Sequence, residues 1–334
     1  MTPRIKTTCV GSYPVPSWLI GNTSRLVLRD AVMTVLKTQE LAGLDLLVDG
    51  ELIRFDPSHP ETNGMVDYFV SRMDGIRKQF SLSDYDRFRV DRASGYRLLT
   101  AGMVEGKISE GTLNLPTDYE FSRALTKSPF KFTCTGPHML ARLLTNCFYK
   151  DIAGLAMDIA VVLRRQLEMI EADVVQLDEA SIVGFPQDAP WAAEAINHVL
   201  DGILNERAVH ICFGNYGGQP QLRGFWRELI PFLNLLHADH LVLEFARRGM
   251  DELEVFTDLK PGMGLGIGVV DIKDNEVEAP ELIASRIEHI VKTLGPERLR
   301  YINPDCGFWM LQRSVADRKM RVLVEGRDLF EGRA

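Results

Sequence analysis

Apolar and β-branched residues fall in short runs that end at polar or glycine positions and then give way to stretches of helical period. Eight such runs can be counted: KTTCVGS at 6–12, DLLVDGE at 45–51, KFTCTGP at 131–137, DVVQLDE at 173–179, AVHICFGNY at 208–216, HLVLEF at 240–245, MGLGIGVVD at 263–271 and LRYINPDCG at 299–307. The runs are almost continuously apolar, as parallel strands covered on both faces should be. Between them lie amphipathic helical patterns, strongest at 152–170, 191–204 and 278–294. The last begins near Asn275, Glu276 and Glu278, an acidic start that suits a helix N-terminus.

Eight buried strands, each followed by a helix, predict a (β/α)8 TIM barrel spanning 1–334 as one domain. A doubly wound sheet is the alternative, but no G-x-G-x-x-G fingerprint opens the first βα unit. GLGIG at 264–268 sits inside a strand pattern, which points to close strand packing rather than a nucleotide loop. The gap between the second and third runs, 52–130, is too long for one crossover helix. It carries the charged and aromatic stretch SDYDRFRVDRASGYRLL and predicts a hairpin near Met103–Thr112. Such an insertion either caps a site, builds an oligomer contact or is a plain surface excursion.

Composition narrows the partners. The chain has 334 residues, 46% hydrophobic, with a formal net charge of −8, so it can bury a full core and lacks the basic excess that phosphate backbones or anionic membranes require. Mean hydropathy is −0.05, and no stretch approaches the roughly 18 apolar residues of a membrane span. The N-terminal MTPRIKTTCVGSYPVP has no apolar run, which predicts a cytoplasmic protein without a secretory leader. Five scattered cysteines then read as reduced thiols, some available to a metal.

Chemistry in barrels sits at the C-terminal strand ends. Those ends carry Gly11–Ser12, Glu51, Asp178–Glu179, His210 with Cys212, Glu244, Asp271 and Cys306. His210 and Cys212 are two apart on one strand, so they share a face and can grip one ion. With Glu244 and Cys306 they offer one nitrogen, two sulfurs and a carboxylate, a tetrahedral Zn2+ set. Taken singly, each cysteine could be a small core residue and Glu244 an ion-pair partner; the joint placement carries the metal reading. Two thiolates and a carboxylate give a zinc site a formal charge of about −1, a poor activator of water but a good holder of a reactive thiol. Glu244 is the hardest and most replaceable ligand. The predicted reaction is alkyl transfer to sulfur. Glu51 and Asp178 can hold a cationic amine, and the backbone of Val10, Gly11 and Ser12 can meet a carboxylate.

The segments TTCVGSYP, LLVDGE, VVQLDE, HICFGNY, LVLEF, GVVDIK and NPDCG, in this order, resemble the catalytic barrel of the cobalamin-independent methionine synthase family. The resemblance covers nearly the whole chain and is weakest at 52–130. It implies zinc held by His210, Cys212, Glu244 and Cys306, and homocysteine held through Val10, Gly11, Ser12, Glu51 and Asp178. The implied enzyme moves a methyl group to the homocysteine thiol, in methionine biosynthesis. It resembles the short branch that lacks a second, N-terminal barrel.

Two departures bear on the donor. Lys273, in GVVDIK, stands where folate-using members have a histidine that protonates the departing nitrogen; a lysine of ordinary pKa near 10.4 is a weaker acid unless burial lowers it. Arg142 falls where the family has a tryptophan facing the pterin. Asp271 is placed to assist Lys273, and His138, after TGP, to line the pocket. The donor is therefore open between a folate, a methyl-corrinoid carrier protein and another alkyl source. Epoxyalkane:coenzyme M transferases resemble the same family and provide an alternative acceptor chemistry, although Glu51 and Asp178 would repel a sulfonate. A non-catalytic zinc protein and a metal-free cysteine nucleophile are weaker alternatives, because the ligands come from separate strands and no third group orients His210. Tyr13, Trp18, Tyr216 and Phe308–Trp309 are candidate pocket walls, His237 and His240 are expected at the far rim, and a homo-oligomer is left open.

Overall fold

A computed structural model describes residues 4–91, 100–215, 222 and 224–333. Its framework is a ring of parallel strands: β1 (Lys6–Thr7), β2 (46–47), β3 (Lys131–Thr135), β4 (Val174–Asp178), β5 (Glu206–Ile211), β6 (His240–Leu243), β7 (Gly264–Val270) and β8 (Leu299–Pro304). β3 to β8 pair in chain order and β8 pairs with β1, all parallel. The ring closes through two single bridges, Thr8 with Leu46 and Leu47 with Phe130. This is the TIM barrel that the alternating runs predict, and each predicted run overlaps one strand.

Helices α1 (Arg25–Ala42), α2 (Leu115–Arg123), α3 (Ile152–Leu167), α4 (Ala189–Leu200), α5 (Trp226–Leu235), α6 (Pro280–Leu294) and α7 (Arg313–Phe330) clothe the ring. Their ends follow local chemistry. Asp151 caps α3 by accepting from the Gly154 amide, and α1 stops at Gly43, whose φ of 83° is open to glycine at little cost. α4 starts two residues before the predicted Trp191 because Pro190 suits a helix's first turn. Between β6 and β7 the crossover is a 3₁₀ segment, Met250–Asp258.

Within 52–130, strand Met103–Ser109 pairs antiparallel with the upstream strand Asp74–Arg77 and parallel with Thr145–Asn146. The expected local hairpin at 103–112 is thus one strand of a pair whose partner lies before residues 92–99, which are outside the described residues. The GLGIG stretch is β7 itself. A Cβ on Gly268 would lie 2.3 Å from Asp305 Oδ1 and 3.0 Å from the Leu243 carbonyl, so the glycine lets β8 and its loop close on the strand. Among the described residues no helix is long and apolar enough to cross a membrane.

Candidate metal centre and adjoining cleft

Register brings the sulfur and nitrogen donors together. Asp178, His210 and Val242 stand side by side across β4, β5 and β6, so all three face into the barrel at its C-terminal rim. His210 is buried, and its Nδ1 lies 3.1 Å from the Val242 carbonyl, which fixes the ring with Nε2 towards Cys306. Cys306 Sγ is 3.7 Å from that Nε2 and 3.9 Å from Cys212 Sγ. The donor atoms of His210, Cys212 and Cys306 all lie within 4.8 Å of one another, and the two residues on the β5 side are buried. A cluster of one imidazole and two thiols at this spacing fits zinc by ligand type. Hydrogen bonding from Cys306 pulls the Cys212 thiol well below its ordinary value, while the same contact raises Cys306. Burial would lower His210, but the neighbouring Cys212 outweighs it and lifts the imidazole to about 9.

Glu244 stands at the end of β6, outside this three-donor cluster. Its Oε2 lies 2.9 Å from Lys273 Nζ, with both side chains nearly buried. Burial, and then the charge of Cys212, push the Glu244 carboxyl up to about 7. Burial would lower Lys273, but Glu244 outweighs it and the ammonium ends above its ordinary value, so burial does not make this lysine a readier acid. Asp271 supports Lys273 through the backbone: its Oδ1 accepts the Lys273 amide at 2.8 Å, while Oδ2 pairs with Arg247 at 2.6 Å.

A cleft opens beside the sulfurs. Val10, Gly11, Ser12, Glu51 and Asp178 line it together with His210, Cys212 and Cys306. Glu51 has φ 61°, the one non-glycine in the left-handed region among the described residues, following Gly50 at 73°. Strain of that kind persists where surrounding contacts enforce it. Here the Glu51 amide donates to Asp49 at 2.8 Å, Thr133 Oγ1 donates to Glu51 Oε1 at 2.7 Å, and Arg54 lies 3.4 Å away. A Cβ on Gly11 would fall 2.3 Å from that same Oε1, so glycine allows the carboxylate to lie against the β1 loop. Asp178 is buried, and burial followed by the charge of Glu51 pushes it to about 7. Two carboxylates on one wall, with Arg54 beside Glu51, give the cleft an anionic side that can accept a cation.

The structure does not bring His138 and Arg142 to this cleft. His138 is fully buried; its amide donates to Glu179 at 3.0 Å, and its ring nitrogens sit 3.3 Å from Glu179 and 3.0 Å from Asp188. Arg142 Nε donates to the same Asp188 at 2.6 Å, and its guanidinium lies over Phe185. Trp309 lines the cleft, whereas Phe308 is buried beneath it. Tyr13 lines a second hollow that shares Ser12, Glu51, Asn63, Met65 and Trp309 with the first. Trp18 is exposed under Arg313, and Tyr216 is outside the described residues. His237 is exposed beside Asp201, and His240 opens β6 at the opposite barrel end.

Sequence reasoning missed Asp305 and, while allowing the insertion to cap a site, did not name the residues by which it reaches the cleft. Asp305 accepts the amides of Phe245 and Ala246, each at 2.7 Å, tying the Cys306 loop to the loop after Glu244. Its place inside NPDCG, beside a predicted ligand, was the available signal. Asn63 and Met65 line the cleft from 52–130, a long-range contact that no local pattern announces.

A closed parallel barrel with a soft, sulfur-rich donor set on its C-terminal rim is the class of protein that fold and site define. The chain belongs to the cobalamin-independent synthase family: the model described as "Cobalamin-independent synthase, Catalytic domain" matches residues 5–327. A methionine synthase of Sulfurisphaera tokodaii is 30% identical over 340 residues, covering 97% of this chain and 92% of that protein. One of Pyrococcus furiosus is 29% identical over 338 residues, with the same coverage of 97% and 92%. Among solved structures, a B12-independent methionine synthase from Shewanella sp. W3-18-1, in complex with selenomethionine, superposes with a TM-score of 0.81 at 23% identity, covering 99% of this chain and 98% of that one, a likeness of fold.

Proposed function

We propose that this protein is a zinc-dependent methyltransferase that moves a methyl group to the sulfur of homocysteine, giving methionine. The observation that carries the proposal is the convergence of His210, Cys212 and Cys306 within 4.8 Å in the same cleft as Glu51 and Asp178. One wall suits a thiol and the other an ammonium, the two ends of an aminated thiol. His210, Cys212 and Cys306 would hold the zinc, with Glu244, now paired with Lys273, as the fourth and most exchangeable ligand. When bound, zinc supplies the Lewis acidity that keeps a thiol deprotonated at neutral pH.

The chain's own groups then orient and select. Glu51 and Asp178 receive the substrate ammonium, and the Val10–Gly11–Ser12 backbone meets its carboxylate. The homocysteine sulfur supplies the electron pair of the new C–S bond, its proton leaves to solvent, and the carrier keeps the pair from the broken methyl bond. We assign Lys273 and Asp271 to the methyl-donor side, although neither lines the cleft and Lys273 is engaged by Glu244. Arg142, held by Asp188 and lying over Phe185, stands at the position of the family's tryptophan. Both features favour a methyl-corrinoid over a folate as carrier. We read 52–130 as a cap, since Asn63 and Met65 reach the cleft. A sulfonated thiol such as coenzyme M fits less well, because two carboxylates would repel it.

The test is methionine formation from L-homocysteine by zinc-loaded protein, with methylcobalamin or methyl-tetrahydrofolate monoglutamate as donor. Turnover with methylcobalamin and little with the folate is the expected result. Turnover with folate alone would overturn the donor assignment, and no binding of homocysteine at all would overturn the function.

A further inference from the structure

The barrel interior beneath the cleft is not apolar throughout. Val10, Leu46, Val174, Ala208, Val242 and Tyr301 form a small inner cluster, yet Lys131 and Gln176 are buried among the same strands. Lys131 opens β3 opposite Val174, and Gln176 follows Val174 by two, so both point inward. Lys131 Nζ donates to the Cys9 carbonyl at 2.6 Å and to Gln176 Oε1 at 2.8 Å. Gln176 Nε2 donates to the Val10 carbonyl at 3.0 Å and to Asp178 Oδ1 at 2.8 Å, so both of its amide hydrogens are committed.

Such a pair is an expensive filling. Burial draws the Lys131 ammonium down to about 8 even though Asp178, Cys9 and Glu51 pull the other way. An apolar pair of similar volume would serve packing alone at least as well. What the pair touches explains its presence. One end holds the Cys9–Val10 backbone, which leads into Gly11 and Ser12; the other holds Asp178. Neither Lys131 nor Gln176 lines the cleft.

We infer that Lys131 and Gln176 are positioning residues for the amino-acid end of the substrate. They set the spacing between Asp178 and the β1 backbone, so that the ammonium and carboxylate of one α-amino acid are met together. The lysine's charge also offsets the mutual repulsion of Glu51 and Asp178. This rests on the proposed homocysteine site and adds to it a specificity for an intact α-amino acid over a bare thiol or thioether.

The test uses zinc-loaded full-length protein and calorimetric titration with two probes, L-methionine and 4-(methylthio)butanoate, which is methionine without its amine. Wild type should prefer methionine. Lys131→Met and Gln176→Leu should each weaken methionine binding at least tenfold while leaving the weak binding of the amine-free probe unchanged. Zinc content should stay near that of wild type, and KM for homocysteine should rise far more than kcat falls. Gln176→Leu removes no charge, so it keeps the question answerable should Lys131→Met fold poorly. Folded variants that bind methionine as wild type does would overturn the inference. A wild type that binds neither methionine nor homocysteine would instead remove the homocysteine reading, and this inference with it.

Discussion

Cys306 is half-buried at the mouth of the barrel, 3.7 Å from one imidazole nitrogen and 3.9 Å from a second thiol. Replacing that sulfur by oxygen swaps a soft ligand for a poor one while keeping the size of the side chain. Cys306→Ser is therefore expected to cut bound zinc to well below the wild-type level, read by elemental analysis, with little change in melting temperature. Equal zinc in both proteins would exclude Cys306 as a ligand. At this scale the sequence was most informative where position on a strand sets direction: the two-residue spacing of His210 and Cys212, and the strand-end placement of Cys306, announced their convergence. It was silent where a distant partner decides. His138 turns inward because Asp188, 50 residues later, meets its ring, and Glu244 is engaged by Lys273 from the next strand's loop. The left-handed backbone of Glu51 has no residue signature, since glutamate does not favour it.

β7 shows how an element transmits its needs to the site. Its glycines let β8 approach, and the Asp305 carboxylate that clamps the Cys306 loop lies against Gly268. Gly268→Ala forces a methyl group into that contact with backbone on the other side, so it should destabilise by about 1–3 kcal/mol. It should also lower zinc affinity by displacing Asp305 and the loop it holds. Thermal unfolding and a zinc-chelator competition read the two effects; an alanine variant that matches wild type in both would show that the strand has room to spare. The periodicity of α3, α4 and α6 was legible because each presents a continuous apolar stripe. The 3₁₀ segment at Met250–Asp258 was not, because its apolar residues serve a short, tight crossover whose shape is set by packing rather than propensity.

At the scale of the whole molecule, the barrel's lower end is tied by Glu206, which meets Tyr301 at 3.0 Å and Arg300 at 3.4 Å across the sheet. Burial would raise its carboxyl, but His240, Tyr301 and Arg300 outweigh burial and hold it at about 2, below its ordinary 4.5. A depressed carboxyl stabilises the fold above the unfolded value and loses that contribution as pH falls towards the folded one. Glu206→Gln should thus cost about 1–2 kcal/mol at pH 7, solvent screening allowed for. The gap to wild type should narrow from pH 4.5 downward; denaturant titrations from pH 7 to 3 measure it, and a constant gap would show that the carboxylate's charge is irrelevant. Eight runs with helices between them made the ring legible. The insertion's pairing was not, because Asp74–Arg77 and Met103–Ser109 are far apart in the chain, with the helix Leu82–Asp91 between them, so no short turn announces that they meet.

The ring itself is uneven. Seven strands are joined by ladders, while residues 46–47 are stitched to their neighbours by one bridge on each side. The joint is short but bonded on both sides: the Leu46 and Leu47 amides donate to the Thr7 and Pro129 carbonyls, and the Lys131 amide donates back to Leu47. Glu51 hangs a few residues beyond the joint, whereas His210, Cys212 and Cys306 are rooted in the firmly laced side. The Glu51 side of the cleft thus follows the shortest pairing in the ring and the sulfur side follows full ladders, so amide hydrogen exchange is expected to be faster at Leu46 and Leu47 than along β5.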